Sequence, residues 1–190
     1  MAFRIRNTDT ETEEEYETCQ ATYFKYLEAF KKSSNSDLWK FFTWDFFHDG
    51  IIESIEVQKD LRTISFHLDC PNIRSYGEDG EFRYVSVDFI CTFKDVVHFS
   101  IQESAQSEPT AYPCETSTFL YSEINTMIPD HLMDKDETFY SLIIEALGAY
   151  SQTWIELVFS QVNVAPKEPA AFAIMERDNR FHVPTYNADA

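Results

Sequence analysis

The sequence predicts an α+β fold: an N-terminal helix or helices, followed by a mostly antiparallel sheet of six to seven strands in a sandwich or half-barrel. Three observations carry this expectation. Apolar residues recur at helical spacing before about residue 34, and from residue 50 onward they alternate with polar ones. The connectors between the later apolar runs are too short to house crossover helices, which favours antiparallel pairing. At 190 residues the chain suits a single domain, 1–190, divided into a helical part at 8–43, a β-rich core at 44–164 and a C-terminal extension at 165–190.

The first element is a helix over 8–34. Thr10 or Thr12 can cap it, and the acids of "ETEEE" sit in its first turns, where the macrodipole favours negative charge. Tyr16, Tyr23 and Phe30 recur every seven residues, with Cys19 and Leu27 between them, and form one apolar stripe. "SSNS" breaks the chain, and Ser36 or Asp37 can cap a short helix over "DLWKFF".

Strands are expected at about 50–58, 62–69, 83–93 and 96–102, as a meander in which "FRYVSVDFICTF" and "VVHFSI" form a hairpin about Lys94-Asp95. Residues 102–117 read as a loop. Three further apolar runs follow, "TFLYSEINTM", "TFYSLIIEAL" and "TWIELVFSQVNV". Their β-branched and aromatic content favours strands, although "FYSLIIEALGAY" also fits a helix. "APKEPAA" then breaks the chain, and "AFAIMERDNRFHVP" reads as a last edge strand or a surface segment.

Charge is the strongest global signal: 33 acidic and 15 basic residues leave a net charge of -18. Such a surface repels phosphate backbones and anionic membranes, so neither nucleic acid nor membrane is an expected partner. It attracts cationic proteins. The same acidity also serves solubility alone. With only 4 glycines the chain has no Gly-rich phosphate loop, and no cofactor is expected. Cys19, Cys70, Cys91 and Cys114 are scattered and read as reduced thiols. "MAFRIRNTDTETEEE" carries no apolar leader, so a cytoplasmic location is expected.

"WDFFHDGIIESIEV" poses the main question. His48 beside Asp49 reads as a base held by a carboxylate, and equally as a turn that launches a strand. The turn is the favoured reading, with Asp49 accepting backbone N–H bonds. His67, Asp88 and His98 fall on outward strand positions and would form a metal site if their strands were neighbours. Glu53, Glu56, Glu123, Glu145 and Glu156 lie in strand-like runs, where a carboxylate pair for glycoside hydrolysis is conceivable. His131 and His182 add nothing specific. Glu11, Glu13, Glu14, Glu15 and Glu17 form an acidic strip suited to a basic partner, and Glu53, Asp69 and Asp88 are a second candidate face.

The segments "FHDGIIESIEV", "LRTISFHLD", "VSVDFICTFKDVVHFSI" and "TWIELVFSQVNV" together resemble a family of small bacterial proteins that run an aromatic-His-Asp motif into a β-meander. The resemblance covers roughly residues 44–164. Some members resemble immunity proteins of polymorphic toxin systems. The long acidic N-terminal helix and the 102–117 loop depart from that pattern. The resemblance implies a β-rich fold and a non-enzymatic protein-binding module whose partner is a basic protein such as a toxin domain. Two rival classes stay open: a metal-dependent or hydrolytic enzyme using His48 and Asp49, and a small-ligand carrier with an aromatic-lined cavity.

Overall fold

The structure, a computed structural model, describes residues 12, 15, 18, 21–23, 25–29, 47, 49–76, 81–106, 118–125 and 138–168. Eight strands dominate them: β1 (Ile51–Val57), β2 (Ile64–Tyr76), β3 (Phe82–Lys94), β4 (His98–Ala105), β5 (Thr118–Asn125), β6 (Tyr140–Leu147), β7 (Ser151–Phe159) and β8 (Gln161–Pro166). All pairings are antiparallel, in the order β4-β7-β6-β5-β1-β2-β3-β8.

This corrects the α+β expectation of N-terminal helices over a sandwich or half-barrel of six to seven strands. Among the described residues the fold is mostly β, the sheet has eight strands, and it is not closed, because β4 and β8 end it. Helical conformation among the described residues is confined to 15–29. The physical reason lies in where apolar area is concentrated. A stretch of this length is marginal as an isolated helix, whereas the alternating strands bury a continuous face. The short helix predicted at "DLWKFF" lies outside the described residues. Among the described residues no helix is long and apolar enough to cross a membrane, which says nothing of membrane-spanning strands.

The sheet falls into two halves. One holds β1, β2, β3 and β8, and the other holds β5, β6, β7 and β4. Strands β1 and β5 join them through one residue pair, Ile51↔Thr118. On the other side the halves are joined by corners. The β3–β4 hairpin expectation is overturned here: β4 pairs with β7, not β3, so the chain bends at Asp95–Val97 and runs on. Asp95 adopts a left-handed φ of 52°. Val97 N donates to Val158 O at 2.9 Å while His98 also pairs with Val158, so two residues oppose one in a bulge that kinks the strand. The run "TWIELVFSQVNV" makes the matching bend at Ser160 and supplies both β7 and β8. Ser160 N donates to Lys94 O at 3.2 Å across the corner.

One core fills the space between the halves. Ile64, Phe66, Leu68 and Cys70 of β2 and Phe89, Cys91 and Phe93 of β3 meet Leu142 and Ile144 of β6 and Ile155, Leu157 and Phe159 of β7. Phe93 is its hub, edge-on to Phe66 at 5.3 Å and to Phe159 at 4.9 Å between ring centroids. These contacts carry attraction beyond that of area burial alone.

The helical stretch is capped at its start and anchored to the sheet further along. Thr12 and Glu15 form a reciprocal capping box: Thr12 N donates to Glu15 Oε2 and Glu15 N donates to Thr12 Oγ1, both at 3.2 Å. Further along, Tyr23 and Leu27 are buried, as the apolar stripe requires. Beyond Ile51↔Thr118 no further pair joins β1 to β5, and there the Tyr23 hydroxyl accepts the Ile124 N–H at 3.1 Å. The helix covers backbone that a neighbouring strand would otherwise satisfy.

Candidate functional site

The stretch 47–50 is a turn. Gly50 N donates to Phe47 O at 2.9 Å, and Phe47 is buried edge-on against Phe89 at 5.7 Å. Asp49 sits in the left-handed region, φ 63°, which Asp tolerates better than most residues. Gly50 is required by close approach. A Cβ there would lie 2.9 Å from Phe47 O and 3.1 Å from the Cys70 sulfur. His48 lies outside the described residues. Of the candidate pair His48 and Asp49, the structure therefore places only Asp49, in the turn that feeds β1. The Cys70 thiol beneath this turn is held well above its ordinary pKa by burial, and further by the charges of Asp69 and Asp88. It is a closed thiol rather than a nucleophile. Cys91 is likewise buried with its pKa pushed up, and both cysteines are free. Cys19 and Cys114 lie outside the described residues.

The metal candidates do not come together. His67 lies on β2 opposite Ile90, with Nε2 3.6 Å from Glu56 Oε1. Asp88 lies on β3 opposite Asp69. His98 has been carried through the corner onto β4, with Nε2 3.8 Å from Glu156 Oε2. Among the described residues no group of three His, Cys, Asp or Glu side chains is placed to hold a metal ion. His67 and Asp88 stay on paired strands, but the bend at Asp95–Val97 carries His98 away from them, and alternation along a strand cannot reveal a bend.

What does come together is the second candidate face. With Phe66, Leu68 and Phe89 committed to the core, alternation turns His67, Asp69 and Asp88 outward on the half made by β1, β2, β3 and β8. Asp69 and Asp88 are directly opposed across the strand pair, an arrangement that like charges resist. Ser86 Oγ lies 3.5 Å from Asp69 Oδ1. A bulge between Ile52 and Ser54 leaves Glu53 as an extra residue on β1. Lys167 answers these acids from the end of β8. Its backbone N donates to Asp88 O at 2.8 Å, and its Nζ lies 3.5 Å from both Glu53 Oε2 and Asp88 Oδ2. The Glu53 charge, then that of Asp88, raises the Lys167 pKa above its ordinary value. These ion pairs are exposed and contribute little to stability. Lys167 answers two of the three carboxylates, Glu53 and Asp88, so the patch keeps a net negative charge.

The N-terminal strip stands differently. Glu15 is engaged in the capping box with Thr12. Glu11, Glu13, Glu14 and Glu17 lie outside the described residues, as do His131 and His182. The role of Lys167 and the burial of Glu145, which the sequence reading named only as one of several strand carboxylates, escaped that reading. Lys167, within "APKEPAA", becomes a cation shared across the sheet face. Glu145 is buried on β6, where Oε1 accepts from the Gln152 amide and Oε2 has no hydrogen-bond partner. The pairing Leu147↔Gln152 shows how the tight β6–β7 turn brings them together. A hydrophobic run interrupted by one glutamate was the available signal.

Comparison of the chain with family models, curated proteins and solved structures finds no match.

Proposed function

We propose that this chain is a non-enzymatic protein-binding module that acts in the cytoplasm and engages a basic protein through the sheet face bearing Glu53, Asp69 and Asp88. The observation that carries the reading is the opposed pair Asp69↔Asp88 with Glu53 beside it, offset by Lys167. Like charges directly opposed across a strand pair cost stability, and a cationic partner would relieve that cost. The net charge of -18 supports the same reading, because it steers cations toward the whole molecule. The resemblance to immunity-type proteins adds a class of partner, a basic toxin domain.

The test is a set of neutralising variants, Glu53→Gln, Asp69→Asn and Asp88→Asn, made singly and together. Pull-downs from the native host at low and high salt should retain a basic protein on the unmodified chain at low salt. The triple variant should associate more slowly while melting within a few degrees of the parent. Equal on-rates for parent and triple variant, or no basic protein retained at low salt, would defeat the reading and leave the acidity as a solubility device.

A further inference from the structure

Strand β4, "HFSIQESA", ends the sheet among the described residues, none of which pairs with its outer side. Edge strands invite pairing with another chain, and proteins commonly blunt them with lysine, proline or a covering element. The other end of this sheet follows that rule, since β8 closes on Pro166 and is followed by Lys167. β4 contains neither lysine nor proline, its residues from Ile101 to Ala105 are exposed, and Ile101 is 50% exposed. In a chain with a quarter of its residues charged, β4 carries one acid, Glu103.

The geometry of the free side follows from the β4–β7 register. His98↔Val158 through Ala105↔Ser151 is an unbroken ladder, and Gln106 N donates to Tyr150 O at 2.8 Å just beyond its end. Antiparallel pairs alternate, so even-numbered residues turn their N–H and C=O toward β7. Phe99, Ile101, Glu103 and Ala105 turn theirs to the free side. An added strand would place its residues beside Phe99, Ile101 and Glu103 on one face, and beside Ser100, Gln102 and Ser104 on the other.

We propose that β4 is a strand-addition site, and that its occupant is an extended segment of a basic protein with apolar residues opposite Phe99 and Ile101 and a cation opposite Glu103. This rests on the reading of the partner as basic and adds how it is held. Charge selects the occupant: a second copy of this chain would also carry -18 and be repelled, whereas a cationic segment is attracted. Main-chain bonds supply affinity in this mode, and alternate side chains supply selectivity.

The probe is a capped eight-residue peptide with threonine at every other position and lysine, valine, valine and lysine between them. A control peptide carries glutamate for lysine. Residue-resolved amide exchange on the full chain should show Phe99, Ile101 and Glu103 slowed by the lysine peptide and unchanged by the glutamate peptide. Ile101→Pro removes an outward N–H and no bond to β7, so it should keep the parent's melting temperature and weaken the peptide about tenfold. Should that variant unfold, Glu103→Lys gives an independent reading, because it should reverse the preference between the two peptides. Lysine-peptide binding that perturbs Glu53, Asp69 and Asp88 but not β4 would overturn the strand-addition site while leaving the proposed function standing. Absence of binding, or self-association of the chain through β4, would also overturn it.

Discussion

Replacing Gln152 with leucine isolates the one hydrogen bond that holds a buried carboxylate. Glu145 is 5% exposed, its Oε1 accepts from the Gln152 amide, and its Oε2 has no hydrogen-bond partner. Gln152→Leu strips the carboxylate of that bond. A hydrogen bond to a charged group is worth about 1.5–3 kcal/mol, and the buried acceptor left behind carries the whole desolvation penalty. The expected loss is therefore about 2–3 kcal/mol, or a fall in Tm of roughly 4–12 °C for a chain of this size. Glu145→Leu should cost less, because it removes the buried charge and leaves an amide on the half-buried Gln152. The double variant should come close to the parent or exceed it, as buried polar pairs replaced by apolar residues often do. Urea unfolding of all four proteins at one temperature, with m compared across the set, supplies the cycle. Gln152→Leu within about 0.5 kcal/mol of the parent would refute the reasoning and show that the carboxylate is satisfied some other way.

Further expectations rest on single contacts. Tyr23→Phe leaves the Ile124 N–H without its acceptor and should cost about 1–3 kcal/mol, read by urea unfolding. Gly50→Ala should destabilise by pressing a methyl group into Phe47 O and the Cys70 sulfur, read as a lower midpoint in a thermal melt. Iodoacetamide treatment of the native protein followed by peptide mapping should leave Cys70 and Cys91 unmodified, since burial keeps both thiols protonated. The Asp60 carboxylate is held below its ordinary pKa by the N–H of Arg62 and further bonds from Thr63. A depressed carboxylate stabilises above its unfolded pKa and loses that contribution as pH falls through its folded one. Protection of the β1–β2 turn amides, taken as the exchange rate relative to the intrinsic rate at each pH, should therefore fall on acidification below about pH 4 and stay flat between about pH 5 and 7.

Much of the β core was legible because alternation is a local property. The faces of β2 and β3 follow from side chains that point oppositely at successive residues, so Phe66, Phe89 and Phe93 fall opposite the outward His67 and Asp88 whatever the pairing. The same rule put Asp69 and Asp88 outward, and register then opposed them. Thr12 as a cap, and Tyr23 and Leu27 on a buried stripe, were equally local. What tertiary structure decided was partnership. Nothing in "FKDVVHFSI" distinguishes a hairpin from a corner, because both turn the chain within three residues. The choice depends on whether Val158 lies across from Val97 and His98, sixty residues away in the chain. That choice moved His98 to the other half of the sheet, away from the other candidate metal ligands His67 and Asp88, and left β4 as an edge among the described strands. Lys167 and Glu145 were hidden for the same reason. A charge acquires its meaning from neighbours brought by pairing, and pairing is set by the burial of the whole sheet rather than by any one strand.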